Sequence, residues 1–223
     1  MPYLGALHTF FADVLTSDFR ADIFDLVETA WPRITDPTDA WLEPRITGLL
    51  RTAMISEQEA KYSRNSPFFI LEEVKKRDPI SGKEIERSDI EIHLRHFYIT
   101  GQKPYFVFES KRLNIPYDTG VASNVGEYVG SSGMGCLVNG QYQSAPSLSG
   151  MLGYVMNGDV KSARSAIDNA LKKNAAVLHL CKCSNLQVPK SIPAGKHRNE
   201  TLHLGLEGEY AIFHLFLPIN KSV

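Results

Sequence analysis

The strongest constraint on the fold is a change of hydrophobic period in the middle of the chain. Segment 88–99 alternates apolar residues with charged or polar ones, which is typical of a strand with one buried face. A short loop containing glycine and proline follows, and segment 105–111 then alternates in the same way. Two such runs joined by a short Gly/Pro loop predict an antiparallel β-hairpin.

Helical periodicity flanks this hairpin. Apolar residues recur every three or four positions over 9–30, where Thr9 is the expected cap and Pro32 the stop, and again over 43–54. A third such pattern over 160–173 predicts another helix. Each of these helices is expected to bury one face.

The remaining segments are less regular. Residues 75–86 are highly charged and include proline and glycine, so they predict a solvated loop. A short helix is expected near 123–129, and strands are expected at 136–138, 176–181 and 211–217. Because no internal repeat or long linker divides the chain, we expect one α/β domain over residues 1–223, with a helical part at 1–60 and a sheet-containing core at 85–217.

Composition narrows the class of protein. The 223 residues are 43% hydrophobic, which is enough to bury a core and argues against a disordered or coiled-coil chain. A net charge of −1 argues against a strongly basic nucleic-acid-binding chain. Three cysteines do not make a disulfide framework, the first basic residue is Arg20, and no apolar run is long enough to cross a bilayer. These features predict a soluble, cytoplasmic protein.

The hairpin carries the residues best suited to chemistry. Glu109 and Lys111 are two positions apart and therefore share a strand face, and an antiparallel register can bring Asp89 opposite them. Two carboxylates this close repel each other unless a divalent cation lies between them. Carboxylate oxygens, completed by water and phosphate, suit Mg²⁺ or Mn²⁺.

Segments 87–92 and 106–113 together resemble the metal-binding core of the PD-(D/E)xK, or restriction-endonuclease-like, nuclease superfamily. Segment 42–50 is similar to the helix that often supplies a further acid there. Weaker similarity to a small bacterial subgroup is scattered as far as Leu217, and Ser88 stands where the motif name has proline. The resemblance implies a central mixed β-sheet flanked by helices.

The resemblance also implies roles for particular residues. Asp89, Glu109 and the Ser110 carbonyl would hold Mg²⁺ or Mn²⁺, while Lys111 would activate water and stabilise charge on the phosphate. Glu43 would bind a second metal ion or orient the hydrated ion. The implied activity is hydrolysis of phosphodiester bonds in nucleic acid, with DNA favoured over RNA, in a setting such as bacterial defence.

Contacts with nucleic acid are expected from three basic residues. His197 and Arg198 lie in the basic segment 182–198 and are candidate phosphate ligands, although a solvated loop explains them equally well. Arg112 is on the opposite strand face from Lys111 and would reach a phosphate only where the strand twists or ends. Because the chain is nearly neutral, we expect a homodimer or an operon-encoded partner protein to strengthen the binding of nucleic acid.

Several alternatives stay open at this stage. Glu43 precedes Pro44 at a helix start, where a carboxylate also simply complements the helix dipole. Glu91 shares the strand face of Asp89 and is a rival ligand; Glu57 and Glu59 are further acids. The whole chain could be a catalytically inactive module of the same fold that binds nucleic acid or a partner protein. A zinc-stabilised interaction protein built on His179, Cys181 and Cys183 is the third hypothesis.

Overall fold

The chain forms an α/β fold around a six-stranded mixed sheet. The computed structural model describes residues 17–34, 42–77, 84–95, 105–139, 149–182, 185–190, 192–205 and 208–219. The helices are α1 (Ser17–Ala30), α2 (Glu43–Tyr62), α3 (Val125–Val129), α4 (Met134–Val138) and α5 (Val160–Lys173), with 3₁₀ turns at Trp31–Arg33 and Ser63–Asn65. The strands are β1 (Phe68–Arg77), β2 (Glu84–Leu94), β3 (Tyr105–Leu113), β4 (Ile115–Tyr117), β5 (Gly120–Ala122), β6 (Ser149–Val155), β7 (Arg198–Gly205) and β8 (Gly208–Pro218).

Strand order in the sheet is β1-β2-β3-β6-β8-β7, and β4 pairs only with β5 in a small separate hairpin. The pairs β1–β2, β2–β3 and β7–β8 are antiparallel, whereas β3–β6 and β6–β8 are parallel. Strands β3, β6 and β8 therefore form a parallel centre with antiparallel strands on both sides. Such a centre needs cover on both faces.

Two hydrophobic cores cover the two faces of the sheet. On one face, α1 and α2 pack against β2, β3, β6 and β8; Phe24 of α1 contacts the rings of Phe106, Phe108 and Phe213. On the other face, α3, α4 and α5 pack against the alternate residues of β3, β6 and β8. Strand β3 is thus held from both sides. Of the helices in the described part of the chain, none combines the length and the apolar character that a membrane crossing requires.

Several sequence predictions are confirmed. The central hairpin is antiparallel, with Ile90 opposite Phe108. Helix α5 spans the expected 160–173 and is capped by Asp159, whose side chain accepts from the Ser162 N–H at 3.0 Å. The short helix α3 and the last strand β8 also lie where they were expected. The first helix ends at Ala30 before Pro32, while its predicted cap, Thr9, lies outside the described residues.

Other predictions are wrong. Helix α2 continues beyond Met54 to Tyr62. Residues 75–77 and 84–86 of the predicted loop over 75–86 belong to β1 and β2, and 78–83 lie outside the described residues. Strand β1 is an edge strand, and an edge tolerates charged residues. Residues 136–138 are helical, because a short apolar run does not distinguish strand from helix. Residues 176–179 form turns and Leu180 makes only an isolated bridge to His203, while His179 has a positive φ of 49°.

Strands β6 and β7 were not foreseen. All residues of β6 are buried, so it shows no alternation, and its two glycines read as turn signals in the sequence. The fold explains those glycines, because neighbouring side chains fill the space that a side chain would need. A Cβ at Gly150 would lie 2.8 Å from Phe108 Cε1, and one at Gly153 would lie 2.8 Å from Leu113 Cδ1.

A fully buried polar chain fixes α3 on the sheet. His203 Nδ1 lies 2.7 Å from the Leu178 carbonyl oxygen, which can only accept, so Nδ1 carries the proton and Nε2 accepts from the Thr201 hydroxyl at 2.8 Å. Thr201 then accepts from His214 Nε2 at 2.9 Å, and His214 Nδ1 accepts from Tyr128 at 2.9 Å. With both fully buried histidines neutral, each hydrogen bond in this chain has one direction.

The stability of the protein should fall as pH falls below about 6.5, the ordinary pKa of histidine. Burial lowers the pKa of His203 to about 4 and that of His214 to about 3. Below about pH 6.5 these histidines therefore bind protons in the unfolded chain but stay neutral in the folded protein. Each histidine then contributes a slope of up to about 1.4 kcal/mol per pH unit between the two pKa values.

Urea unfolding between pH 7.5 and 5 measures this slope, with His214→Gln as the comparison. The variant should be less stable at pH 7.5 but should lose less free energy of unfolding on acidification. If the free energy of unfolding falls equally with pH in the two proteins, a neutral, buried His214 is contradicted.

Candidate active site where β2 leaves β3

The candidate site lies where two neighbouring strands part. Strand β2 pairs with β3 from His93 to Ile90, while its pairing with β1 continues to Glu84. Strand β3 continues to Leu113 alongside β6. Beyond Phe108, one edge of β3 therefore has no β2 backbone beside it. The peptide groups on that edge need other partners.

Two carboxylates supply those partners. Asp89 Oδ2 accepts from the Ser110 N–H at 2.7 Å and from the Ser110 hydroxyl at 2.6 Å. Glu43 Oε2 accepts from the Arg112 N–H at 3.1 Å. Glu43 is the first residue of α2, so a strand and a helix each bring one acid to the open edge of β3.

The amine of Lys111 lies among the oxygens of this edge. Its Nζ is 2.7 Å from Glu109 Oε1, 2.7 Å from the Ser110 carbonyl oxygen and 3.4 Å from Glu43 Oε1. Glu109 and Lys111 are each only 7% exposed. Asp89, Glu43, Glu109 and Lys111, together with the Ser110 carbonyl, thus form one cluster, which we call the β3-edge cluster.

The pKa shifts in this cluster show how its charges balance. Burial by itself lowers the pKa of Lys111, but the Glu109 and Glu43 carboxylates outweigh it and raise that pKa above its ordinary value. Burial raises the pKa of Glu43, against the opposing effect of Lys111. In this arrangement Lys111 is an ammonium ion and acts as a donor.

The donor atoms of the cluster fit a hard divalent cation. Glu109 Oε1 and the Ser110 carbonyl oxygen both lie 2.7 Å from Lys111 Nζ, so they converge on the position of that amine, and a cation bound by the same oxygens would require the amine to move. Asp89 reaches the same edge of β3 from β2. Among the described residues, no three His, Cys, Asp or Glu side chains form a ready-made metal cluster. A metal here would be held by two carboxylates and one backbone carbonyl, with water and phosphate as further ligands.

The rival acids are engaged elsewhere. Glu91 is buried, accepts from the Ser88 hydroxyl at 2.7 Å and pairs with His93 Nε2 at 2.9 Å. Glu57 forms an ion pair with Arg33, and Glu59 is exposed on α2. Of the acids weighed from the sequence, the structure brings Glu43, Asp89 and Glu109 to the cluster.

The three basic residues expected at nucleic acid are placed differently from one another. Arg112 is half-buried on β3 and adjoins the cluster through its backbone N–H. His197 and Arg198 lie at the start of β7, which β6 and β8 separate from β3. The structure therefore does not bring His197 and Arg198 to the β3-edge cluster.

Arg198 instead joins β7 to α1. Its guanidinium donates to Glu28 Oε2 from Nε at 3.0 Å and from Nη2 at 2.7 Å, and it also pairs with Asp25. Its side chain is 3% exposed. The His197 N–H donates to the other oxygen of Glu28 at 3.0 Å. These contacts tie the last edge of the sheet to the first helix.

Three residues beside the cluster were missed in the sequence. Thr47 and Tyr154 place buried hydroxyls behind Asp89, and neither carries a motif that marks it. Cys136 of α4 lies near Glu109. Burial, together with the Glu109 carboxylate, raises the pKa of the Cys136 thiol to about 11.

As for the zinc hypothesis, Cys183 lies outside the described residues, and His179 is exposed in a turn.

Comparisons with protein-family models, with curated proteins and with solved structures find no match to the chain. The functional argument therefore depends on the geometry of the β3-edge cluster.

Replacing Arg198 should destabilise the fold. Arg198→Ala leaves the partly buried Glu28 carboxylate without its ion-pair partner, and the loss of one member of a buried ion pair costs at most about 3–5 kcal/mol in the free energy of unfolding. Lys196→Ala removes an exposed charge two residues away and should change stability by less than about 0.5 kcal/mol. Urea unfolding measures both. An Arg198→Ala protein as stable as wild type, but weaker in DNA binding, would favour the phosphate-contact role instead.

Proposed function

We propose that this protein is a metal-dependent nuclease of the PD-(D/E)xK, restriction-endonuclease-like type. The observation that carries the proposal is the convergence of Asp89, Glu109, Lys111 and Glu43 on the edge of β3 that β2 leaves open. A six-stranded mixed sheet with helices on both faces is compatible with that fold. The proposed reaction is hydrolysis of nucleic-acid phosphodiester bonds, with DNA favoured over RNA.

The charges of the cluster support a cation cofactor. Among the described residues it sets three acidic side chains against one ammonium ion, all at least partly buried. A divalent cation at Asp89, Glu109 and the Ser110 carbonyl would relieve the repulsion between the carboxylates. Mg²⁺ or Mn²⁺, when bound, supplies a Lewis acid for the phosphoryl oxygen and acidifies a bound water.

The chain's own residues perform the remaining work. In hydrolysis, a water oxygen bonds to phosphorus and gives its proton to solvent, while the bond to the leaving oxygen breaks and that oxygen takes up a proton; negative charge grows on the phosphate in between. The Lys111 ammonium is placed to donate to that charge or to the attacking water. Glu43 accepts from the Arg112 N–H with one oxygen and faces Lys111 with the other, so it holds the amine in place. A second copy of the chain or a partner protein would increase the affinity for nucleic acid, because this chain is nearly neutral and attracts a polyanion only weakly.

Cleavage of plasmid and single-stranded DNA with Mg²⁺ or Mn²⁺ tests the proposal. Wild type should cut, and EDTA should abolish cutting. Asp89→Asn and Lys111→Ala should each lower the rate by on the order of 10²-fold or more, because the first removes a charged ligand of the proposed metal ion and the second removes the donor to the phosphate. Lys61→Ala is the control. It removes an exposed lysine that pairs with Asp22, and it should leave the cleavage rate unchanged.

Thermal unfolding checks that each variant is folded. Cutting that survives in Lys111→Ala or in EDTA would contradict the proposed site. Absence of cutting with Mn²⁺ still bound would favour the alternative, an inactive module of the same fold that binds nucleic acid or a partner. Absence of both cutting and metal binding would exclude the metal site.

A further inference from the structure

Three buried hydroxyl groups lie in a row behind the Asp89 carboxylate. The Ser110 hydroxyl is 2.6 Å from Asp89 Oδ2, Thr47 Oγ1 is 3.0 Å from the Ser110 oxygen, and the Tyr154 hydroxyl is 3.0 Å from Thr47 Oγ1. Ser110, Thr47 and Tyr154 are all buried. They come from β3, α2 and β6, which the core on one face of the sheet packs together.

Each hydrogen bond in this row has only one consistent direction. A carboxylate can only accept, so the single hydrogen of Ser110 goes to Asp89. Ser110 must then accept from Thr47, and Thr47, having given its own hydrogen, must accept from Tyr154. Burial raises the pKa of the Tyr154 phenol, so this last hydroxyl stays protonated. All three hydroxyls therefore point their positive ends toward Asp89.

The far end of the row is anchored in the core. The Tyr154 ring is fully buried and stacks on Trp31 with 5.6 Å between ring centroids and 9° between ring planes. Trp31 Nε1 in turn donates to the Pro218 carbonyl oxygen at 2.9 Å. The Tyr154 hydroxyl is therefore held in a fixed position. Through its hydrogen bond it orients Thr47, and Thr47 in turn orients Ser110.

We propose that Thr47 and Tyr154 are positioning residues, which orient the Asp89 carboxylate through Ser110 for the binding of a divalent cation. Neither touches the cation or the substrate. The consequence for metal binding rests on the function proposed above, whereas the orientation of Asp89 does not. Groups that orient a metal ligand in this way commonly change metal affinity 10- to 100-fold when they are removed.

The test compares variants that remove or keep one hydroxyl. Thr47→Val replaces the hydroxyl by a methyl group of similar size, Thr47→Ser keeps it, and Tyr154→Phe removes the last donor while keeping the stacked ring. Thr52→Val is the matched control, since Thr52 is an exposed threonine of the same helix whose hydroxyl donates to the Gly48 carbonyl. Titration with Mn²⁺, steady-state cleavage of DNA, and crystal structures of wild type and Thr47→Val provide the readouts.

We expect Thr47→Val to weaken Mn²⁺ binding by about 10- to 100-fold and to lower kcat while KM for DNA stays constant. Thr47→Ser should restore both, Tyr154→Phe should act in the same direction to a smaller extent, and Thr52→Val should match wild type. A purely structural role for Thr47 would change thermal stability without this split between kcat and KM. If Thr47→Val does not fold, Tyr154→Phe decides the test.

The outcomes separate this inference from the proposed function. Mn²⁺ binding and cleavage that are unchanged in Thr47→Val overturn the positioning role and leave the nuclease proposal intact. A wild-type protein that binds no Mn²⁺ overturns the proposed metal site, and the crystal structures then decide the orientation. Loss of the contact between Asp89 and Ser110 in Thr47→Val supports the positioning role, and an unchanged Asp89 overturns it.

Discussion

The open edge of β3 is the constraint on which the site depends. Because β2 stays with β1 and leaves β3 beyond Ile90, the peptide groups of Ser110 and Arg112 lose the ladder partners that a continuous hairpin would provide. Buried peptide groups must be hydrogen-bonded. Asp89 and Glu43 meet that requirement with carboxylates, and the same requirement therefore concentrates negative charge at one point of the sheet. The position of the acids follows from backbone hydrogen bonding as much as from any chemistry they perform.

Charge balance then explains the place of Lys111. Acidic side chains of low exposure are costly without a counter-charge, and the ammonium group lies against Glu109 and, at a longer distance, Glu43. One ammonium ion does not balance three carboxylates, so the cluster carries a net negative charge that a bound cation would neutralise. The same oxygens that hold the amine are the hard donors that Mg²⁺ prefers. This charge balance is what supports the metal-assisted reaction that we propose.

The rest of the fold keeps this edge rigid. Strand β3 has a core on each face, with Phe24 packed against Phe106 and Phe108 on one side and α3 with its buried polar chain on the other. Arg198 ties the far edge of the sheet to α1, which carries Phe24. A metal or phosphate site needs ligands held to within a fraction of an ångström, and a strand packed on both faces is a suitable support. The hydroxyl row from Tyr154 adds the same kind of support to Asp89.

The sequence by itself determined the local features. A period of two predicted the central hairpin and set Glu109 and Lys111 on one face, and a period of 3.6 predicted α5, because side-chain spacing acts within a few residues. Only the tertiary structure decided that the glycine-rich segment 149–155 is a central strand, since its glycines make space for aromatic and aliphatic side chains of neighbouring elements. It also decided that Thr47 lies behind Asp89 and that Arg198 forms ion pairs with Glu28 and Asp25. Those roles depend on contacts between residues 63 to 173 positions apart, which no local pattern encodes.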